Sequence, residues 1–426
     1  MRGMRKLSLV MALIFALSCR KHEAAAPATA STQPPPTTSA ATTTSVPAPD
    51  ADDLVGLEQG AFVVVAPQSI DYGTGAFRIL DGDPKRGFSS AEQQPTGHPI
   101  VIALPQRVSI DRVQFDTGTA GLDTHTPKRI LVEMSDTSAA DGFKPIANVS
   151  LATMKDGQLF PADGNVQGRF VRVTVTENYG GPLTEIGEFR AYGKKLETTP
   201  MPNVSGDYET SNWRTIHLKQ DGNSVSGCLG DPLSPFTGGL EGHVVKINID
   251  TEDEKGPAII VFSPDGKSVF GGYWKTNGVE GEPSMTPWEG KKISDKPGDC
   301  PSDPAKTMAS ALEKEKRLRL YGINFDSDSD KLRDESKPTL DLVVQVLKQH
   351  AGWKLTIEGH TDSTASAEHN QQLSVGRANS VKTYLAGAGI DAARLTPAGF
   401  GATRPVASND TQLGRAANRR VELVRE

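Results

Sequence analysis

The stretch Gly359–Leu385 reads GHTDSTASAEHNQQLSVGRANSVKTYL and places polar residues where a helix should be apolar. At about 100° per residue, a helix from Asn370 onward puts Leu373, Ala378, Val381, Tyr384 and Leu385 on one stripe. Asn370, Ser374 and Arg377 fall inside that same stripe, while Gln371, Gln372, Asn379, Lys382 and Thr383 face the other way, with Val375 the exception. A buried guanidinium without a partner is costly, so Arg377 requires an anion, and a pocket open to a ligand is one way to supply it. Upstream, Trp353, Leu355 and Ile357 alternate with Lys354, Thr356 and Glu358, the pattern of a half-buried strand. That strand runs out at Gly359–Asp362, so Asp362 sits in the loop joining strand to helix. A carboxylate and a guanidinium close together can hold a zwitterion, the first accepting from an ammonium and the second gripping a carboxylate with two parallel hydrogen bonds. Free N–H groups at the helix start favour the same anion. The alternative, that Asp362 and Arg377 simply pair with each other, stays open.

These residues also carry a family likeness. Gly359-His360-Thr361-Asp362, Asn370, Leu373-Ser374, Arg377-Ala378, Val381 and Leu385 resemble the OmpA-like C-terminal domain, a peptidoglycan-binding module. Gly399-Phe400-Gly401, Pro405 and Asn418-Arg419-Arg420-Val421-Glu422 extend the match, and Ile323-Asn324-Phe325-Asp326 looks like its opening strand. The resemblance covers residues 310–426 and implies recognition of diaminopimelate, a wall-peptide residue whose side chain ends in an ammonium and a carboxylate on one carbon. It assigns the ammonium to Asp362 and the carboxylate to Arg377, with Thr361, Asn370 and Ser374 completing the expected binding set. The loop Ser363–Glu368 departs from the pattern in lacking the glycine that often follows the aspartate. The expected fold here is α+β, a mixed sheet with helices on one side. Its strands are Leu318–Phe325, 353–359, Leu395–Gly401 and Arg419–Val424, and its helices Ser336–His350 and 369–387.

At the other end, Arg2, Arg5 and Lys6 precede an apolar run, Leu7–Leu17, too short for the about 20 residues that span a bilayer. Residues 1–19 therefore read as an export signal. Ala16-Leu17-Ser18-Cys19 resembles the lipobox of bacterial lipoproteins, which implies acylation of Cys19 with palmitate-type chains; an ordinary cleaved signal is the alternative. Removing Cys19 leaves Cys228 and Cys300, an even pair suited to an oxidising compartment, and a disulfide between them is expected. Arg20 stands where an aspartate would resemble an inner-membrane retention signal, which favours the outer membrane with the protein facing the periplasm. Residues 20–53 are rich in Ala, Pro and Thr and read as a disordered tether, reaching about 3.1 Å per residue if polyproline-like.

The chain carries 46 basic and 52 acidic residues; without Arg2, Arg5 and Lys6 the balance is 43 to 52, which argues against nucleic-acid binding through a broad basic face. Two further β-rich regions are expected between tether and C-terminal domain. In residues 54–194, Val63–Val65, Ile100–Leu104, Ile110–Phe115, Ile130–Met134 and Phe170–Thr176 read as short strands of a β-sandwich. Ile79-Leu80-Asp81-Gly82-Asp83, Phe88-Ser89-Ser90, Pro99–Leu104, Arg169–Val173 and Glu188–Gly193 resemble a discoidin-like, coagulation-factor type C domain of the galactose-binding-like fold. That likeness implies a glycan or other ligand at one end of the sandwich. Asp81, Asp83 and Glu188 could supply oxygens for a structural calcium, the single cofactor considered. Residues 203–300 read as a small all-β meander or barrel, with hairpin turns at Gln220–Asn223 and Pro264–Lys267 and with Trp213, Trp274 and Trp288 in its core.

No nucleophile motif, zinc cluster or glycosidase-like carboxylate pair points to an enzyme. The leading expectation is an outer-membrane lipoprotein that holds peptidoglycan non-covalently. A carbohydrate-binding or adhesion protein acting through the sandwich, with the C-terminal domain as its wall anchor, is the alternative. A flagellar-stator-like protein would need a membrane-spanning helix near the start, where the run ending at Cys19 is too short.

Overall fold

The computed structural model describes residues 53–426 except 71–74, 198–202, 212–213, 231–232, 251–254, 275–284, 301–302 and 327. The export signal, Cys19 and the expected tether up to residue 52 therefore lie outside the described residues, while Asp53, expected as the tether's last residue, is buried and bridges to Tyr192 of the sandwich. The described residues pack as one unit built from three parts.

The first part is a β-sandwich built on one long strand, Pro99–Asp116. Its first half pairs with Phe62–Val65 and Gln167–Asn178, its second with Gln158–Pro161 and Glu188–Lys195. Register shifts between Ala103 and Val108 and between Ile110 and Arg112 let this strand bend from one set of partners to the other, the way strands turn a sandwich corner. Ile100–Leu104 and Ile110–Phe115 are thus one strand rather than two, with Pro105 sitting in the irregular stretch. Ile102, Ile110, Phe115, Ile130, Val132 and Phe189 fill the core, and Phe88 is buried with them.

The second part is a closed barrel of eight antiparallel strands running from Gly206 to Ser294, the last pairing with the first. Tyr208, Leu218, Ile247, Phe262 and Trp288 pack its interior. Trp213 and the side chain of Trp274 lie outside the described residues. A disulfide joins Cys228 on the barrel to Cys300, Cα atoms 5.6 Å apart, and pins the segment leaving the barrel to its wall.

The third part has a four-stranded sheet of β1 (Arg317–Leu320), β2 (Leu355–His360), β3 (Leu395–Gly399) and β4 (Arg420–Arg425), in the order β1-β4-β2-β3. β2 and β3 run parallel; the other pairs are antiparallel. The strand expected over Leu318–Phe325 stops at Leu320, because Gly322 (φ +83°) turns the chain, and Phe325 makes only a bridge to Leu332. Four helices accompany the sheet: α1 (Pro304–Lys314), α2 (Lys337–Gln349), α3 (Ala367–Gly387) and α4 (Gln412–Asn418). Leu340, Val343 and Leu347 of α2 and Ala378, Val381 and Leu385 of α3 bury against Leu355, Ile357, Val421 and Leu423. α4 faces the opposite way: Ala416 and Ala417 join the sandwich core, and Gln412 Nε2 donates to Asp53 Oδ2 at 3.1 Å. Phe77 of the sandwich stacks on Phe270 of the barrel, ring centroids 4.1 Å apart.

Candidate functional site

The loop between β2 and α3 is fixed from beneath by small and polar side chains. A Cβ on Gly359 would lie 2.2 Å from the Ser374 carbonyl oxygen, so α3 rests directly on the strand end there. Ser374, fully buried, donates its hydroxyl to Gln371 O and accepts from Gly401 N, both at 2.9 Å. Thr361 donates its N–H to Gly401 O at 3.0 Å and its hydroxyl to Asp362 O at 2.9 Å. Asn370, also buried, donates Nδ2 to Ala365 O at 3.0 Å and holds the loop's far side. Ser366 caps α3 by accepting from His369 N at 3.2 Å. The polar first half of the helix stripe is therefore loop scaffolding. Asn370 and Ser374, expected in the binding set, stand behind the loop; their hydrogen bonds all go to backbone groups of this domain.

Asp362 is buried within this scaffold, 6% exposed. Its Oδ1 accepts from Thr364 N at 3.0 Å and Thr364 Oγ1 at 2.6 Å, and its Oδ2 accepts from Arg419 Nη1 at 2.7 Å. An ionised carboxylate has about four lone-pair positions, so these three donors leave one open on Oδ2. Arg377 does not pair with Asp362. Its Nε donates to Ser329 O at 3.1 Å, its guanidinium lies 4.9 Å over the Phe325 ring, and among the described residues no carboxylate lies within 4.0 Å of it. Burial lowers the Arg377 guanidinium from its ordinary value, and Asp362 opposes this most strongly, ahead of Asp328, Glu241 and Asp330. The two charges thus sense each other while neither neutralises the other, and a guanidinium stays charged at any working pH.

Arg419 has no role in the sequence reading, although it stands inside the quoted run Asn418–Glu422. It follows α4 directly, and its second nitrogen, Nη2, pairs with Glu58 of the sandwich. Phe325 stands in the quoted run Ile323–Asp326 with no role assigned to it, and Thr364 and Ser329 have no sequence signal, because their places depend on how two loops fold over α3.

Beneath the loop lies a charged layer whose carboxylates are buried and whose Arg317 reaches the surface. Arg317 bridges Glu358 and Glu422, and Arg420 Nε donates to Glu422 at 2.6 Å. His360, 1% exposed, stacks on Phe400; burial and then Arg420 push its pKa down to about 3, so it is neutral. Burial alone would raise Glu422, yet Arg420, Arg317 and Arg319 pull it down to about 2. Glu358, His360 and Glu422 place ligand atoms within 4.8 Å of one another, but arginines already occupy both carboxylates, so the layer is an ion-pair network and a poor cation site.

Asp81, Asp83 and Glu188 are not all brought within 4.8 Å of one another. Asp81 Oδ2 accepts from Arg78 Nη1 at 2.9 Å, and Asp83 Oδ1 caps its own turn through Lys85 N. Among the described residues, Glu358, His360 and Glu422 are the only such trio that meets within 4.8 Å. Burial pushes Asp81 up to about 7 and Glu188 well above the usual carboxylate range. A groove of about 730 Å³ opens elsewhere, between the barrel, α1 and α2, and is lined by His217, Lys219, Phe236 and Asp341 among others.

With the loop, Asp362 and Arg377 so placed, residues 324–419 match the family model for the OmpA family. The chain carries an OmpA domain. Residues 65–189 match the F5/8 type C domain, the sandwich. Outer membrane porin F of Pseudomonas aeruginosa is 36% identical over 136 residues, 30% of this chain and 39% of that protein. The probable lipoprotein YiaD of Escherichia coli is 42% identical over 101 residues, 24% of this chain and 46% of that protein. The outer-membrane lipoprotein YfiB of Pseudomonas aeruginosa is 38% identical over 102 residues, covering 24% of this chain and 61% of that protein. The chain therefore spans less than two thirds of the length of each of these relatives.

Proposed function

We propose that this protein is an outer-membrane lipoprotein, acylated at Cys19, whose OmpA domain binds diaminopimelate-type peptidoglycan and ties the outer membrane to the wall. The observation that carries this reading is the separation of Asp362 from Arg377. An acid with one open lone pair and a guanidinium that, among the described residues, has no carboxylate within 4.0 Å are the complement of a group bearing an ammonium and a carboxylate on one carbon. No bond is made or broken in this work, so the protein acts as a tether rather than an enzyme. Membrane confinement raises the effective concentration of wall ligand, so modest single-site affinity suffices. Relatives of the OmpA domain that are named outer-membrane proteins and lipoproteins support an envelope location.

A carbohydrate-binding role for the F5/8 type C domain fits beside this reading, with a glycan as its ligand. Two measurements test the proposal. A stem peptide carrying meso-diaminopimelate should compete the protein off purified sacculi, whereas the same peptide carrying lysine, whose side chain ends in an ammonium with no carboxylate for Arg377, should not; equal competition by both would refute the zwitterion reading. Mass spectrometry of protein from membranes should show an acylated Cys19 as the N-terminus, and an unmodified end would remove the lipid anchor.

A further inference from the structure

Arg419 is held between two carboxylates from different parts of the chain. Nη1 donates to Asp362 of the OmpA domain at 2.7 Å, and Nη2 pairs with Glu58 in the short 3-10 turn Leu57–Gln59 of the sandwich. This turn is fixed where it stands. Leu57 is fully buried, a Cβ on Gly56 would lie 2.1 Å from Gln412 Oε1, and Asp53 is hydrogen-bonded to Gln412 on α4. The Glu58 side chain is 19% exposed and that of Arg419 32%, so water screens this pair only partly.

The charges around the ligand position then decide what the site can attract. Asp362 alone offers one negative charge to an ammonium. Arg419 alone would cancel it at the ammonium's end of the site, leaving a neutral pair there, while Asp328, Glu241 and Asp330 act on Arg377 at the other end. Glu58 returns the trio Asp362–Arg419–Glu58 to a net single negative charge, opposite the positive charge of Arg377. Arg419 can therefore orient the Asp362 carboxylate without consuming its charge. Building on the wall-binding reading, we infer that Glu58, in the turn Leu57–Gln59 that packs with the sandwich, is a specificity-determining positioning residue for the OmpA site, balancing Arg419 so that Asp362 keeps its attraction for the ligand's ammonium. The sandwich is thereby part of the wall site and not merely tethered beside it.

The test is a binding isotherm of the full chain on diaminopimelate-type sacculi for wild type, Glu58→Gln and Glu58→Asp, with thermal unfolding recorded for each. Glu58→Gln keeps the shape and removes the charge; it should bind about tenfold more weakly, the size expected for one nearby, partly screened charge. Glu58→Asp keeps the charge and should stay within about threefold of wild type, a rescue that a purely packing role would not give. Wild-type affinity or tighter binding in Glu58→Gln would overturn the inference, as would equal weakness in both variants. If wild type itself fails to bind sacculi, the wall-binding reading falls and this inference with it; binding by wild type with an unaffected Glu58→Gln removes the inference alone.

Discussion

Replacing Gly359 by alanine tests how the site is supported. A methyl group there would sit 2.2 Å from the Ser374 carbonyl oxygen, 3.0 Å from the carbonyl carbon and 3.3 Å from Cα. All three atoms belong to helix backbone, so none can swing aside and α3 must retreat, by about 1 Å to restore an ordinary carbon–oxygen contact. Overpacking of this kind costs about 1–3 kcal/mol. Taking about 2 kcal/mol, the unfolding transition of a domain of this size drops by roughly 8–10 °C. Gly387, at the end of the same helix, has no neighbouring atom within 4 Å of where a Cβ would stand. Alanine there restricts the unfolded chain and should stabilise by about 0.5–1 kcal/mol. Differential scanning calorimetry of the two variants therefore reads opposite signs from one chemical change. Ser374 lies on the same stripe as Arg377, so the retreat also widens the gap to Asp362, and Gly359→Ala should lose sacculus affinity while Gly387→Ala keeps it. A Gly359→Ala protein melting at or above wild type, or a Gly387→Ala protein falling as far, would refute the close-packing argument.

Breaking the Cys228–Cys300 bridge, which closes a loop of sequence separation 72, should cost about 4 kcal/mol by loop entropy, read as a lower denaturation midpoint for Cys228→Ser with Cys300→Ser; an unchanged midpoint would show that the bridge constrains nothing. His360 has a folded pKa of about 3 against an ordinary 6.5, so the unfolded chain takes up a proton that the folded one refuses, and stability falls as pH drops from 6.5 towards 3. Between about pH 6.5 and 5 this amounts to about 2 kcal/mol, which His360→Leu should abolish; parallel melting-versus-pH curves for wild type and variant would contradict it.

The strand–loop–helix at 353–387 is legible in the sequence because its apolar period and its three misplaced polar residues conflict in a way that a supported polar loop resolves. Asn370 and Ser374 are short side chains on the stripe that bond the neighbouring backbone and so shape the loop that carries Asp362. The bent strand Pro99–Asp116 is hidden by Pro105, which looks like a break until both halves are seen pairing with different neighbours. α1 has a readable start, Asp303-Pro304, where the Asp303 side chain accepts from Ala305 N. α4, at seven residues, is too short for periodicity to show. Arg419 and Glu58 cannot be paired from sequence, because they meet across two domains and nothing local in either segment points to the other.

Asp362 and Arg377, on this account, each bind one head of a zwitterion on the wall peptide. The most direct test is co-sedimentation of the protein with purified diaminopimelate-type sacculi, comparing wild type with Asp362→Ala and Arg377→Ala at matched folding. Wild type should pellet and each variant should remain in solution, because either change leaves one ligand charge unmatched. Pelleting of both variants to the wild-type extent would contradict the account.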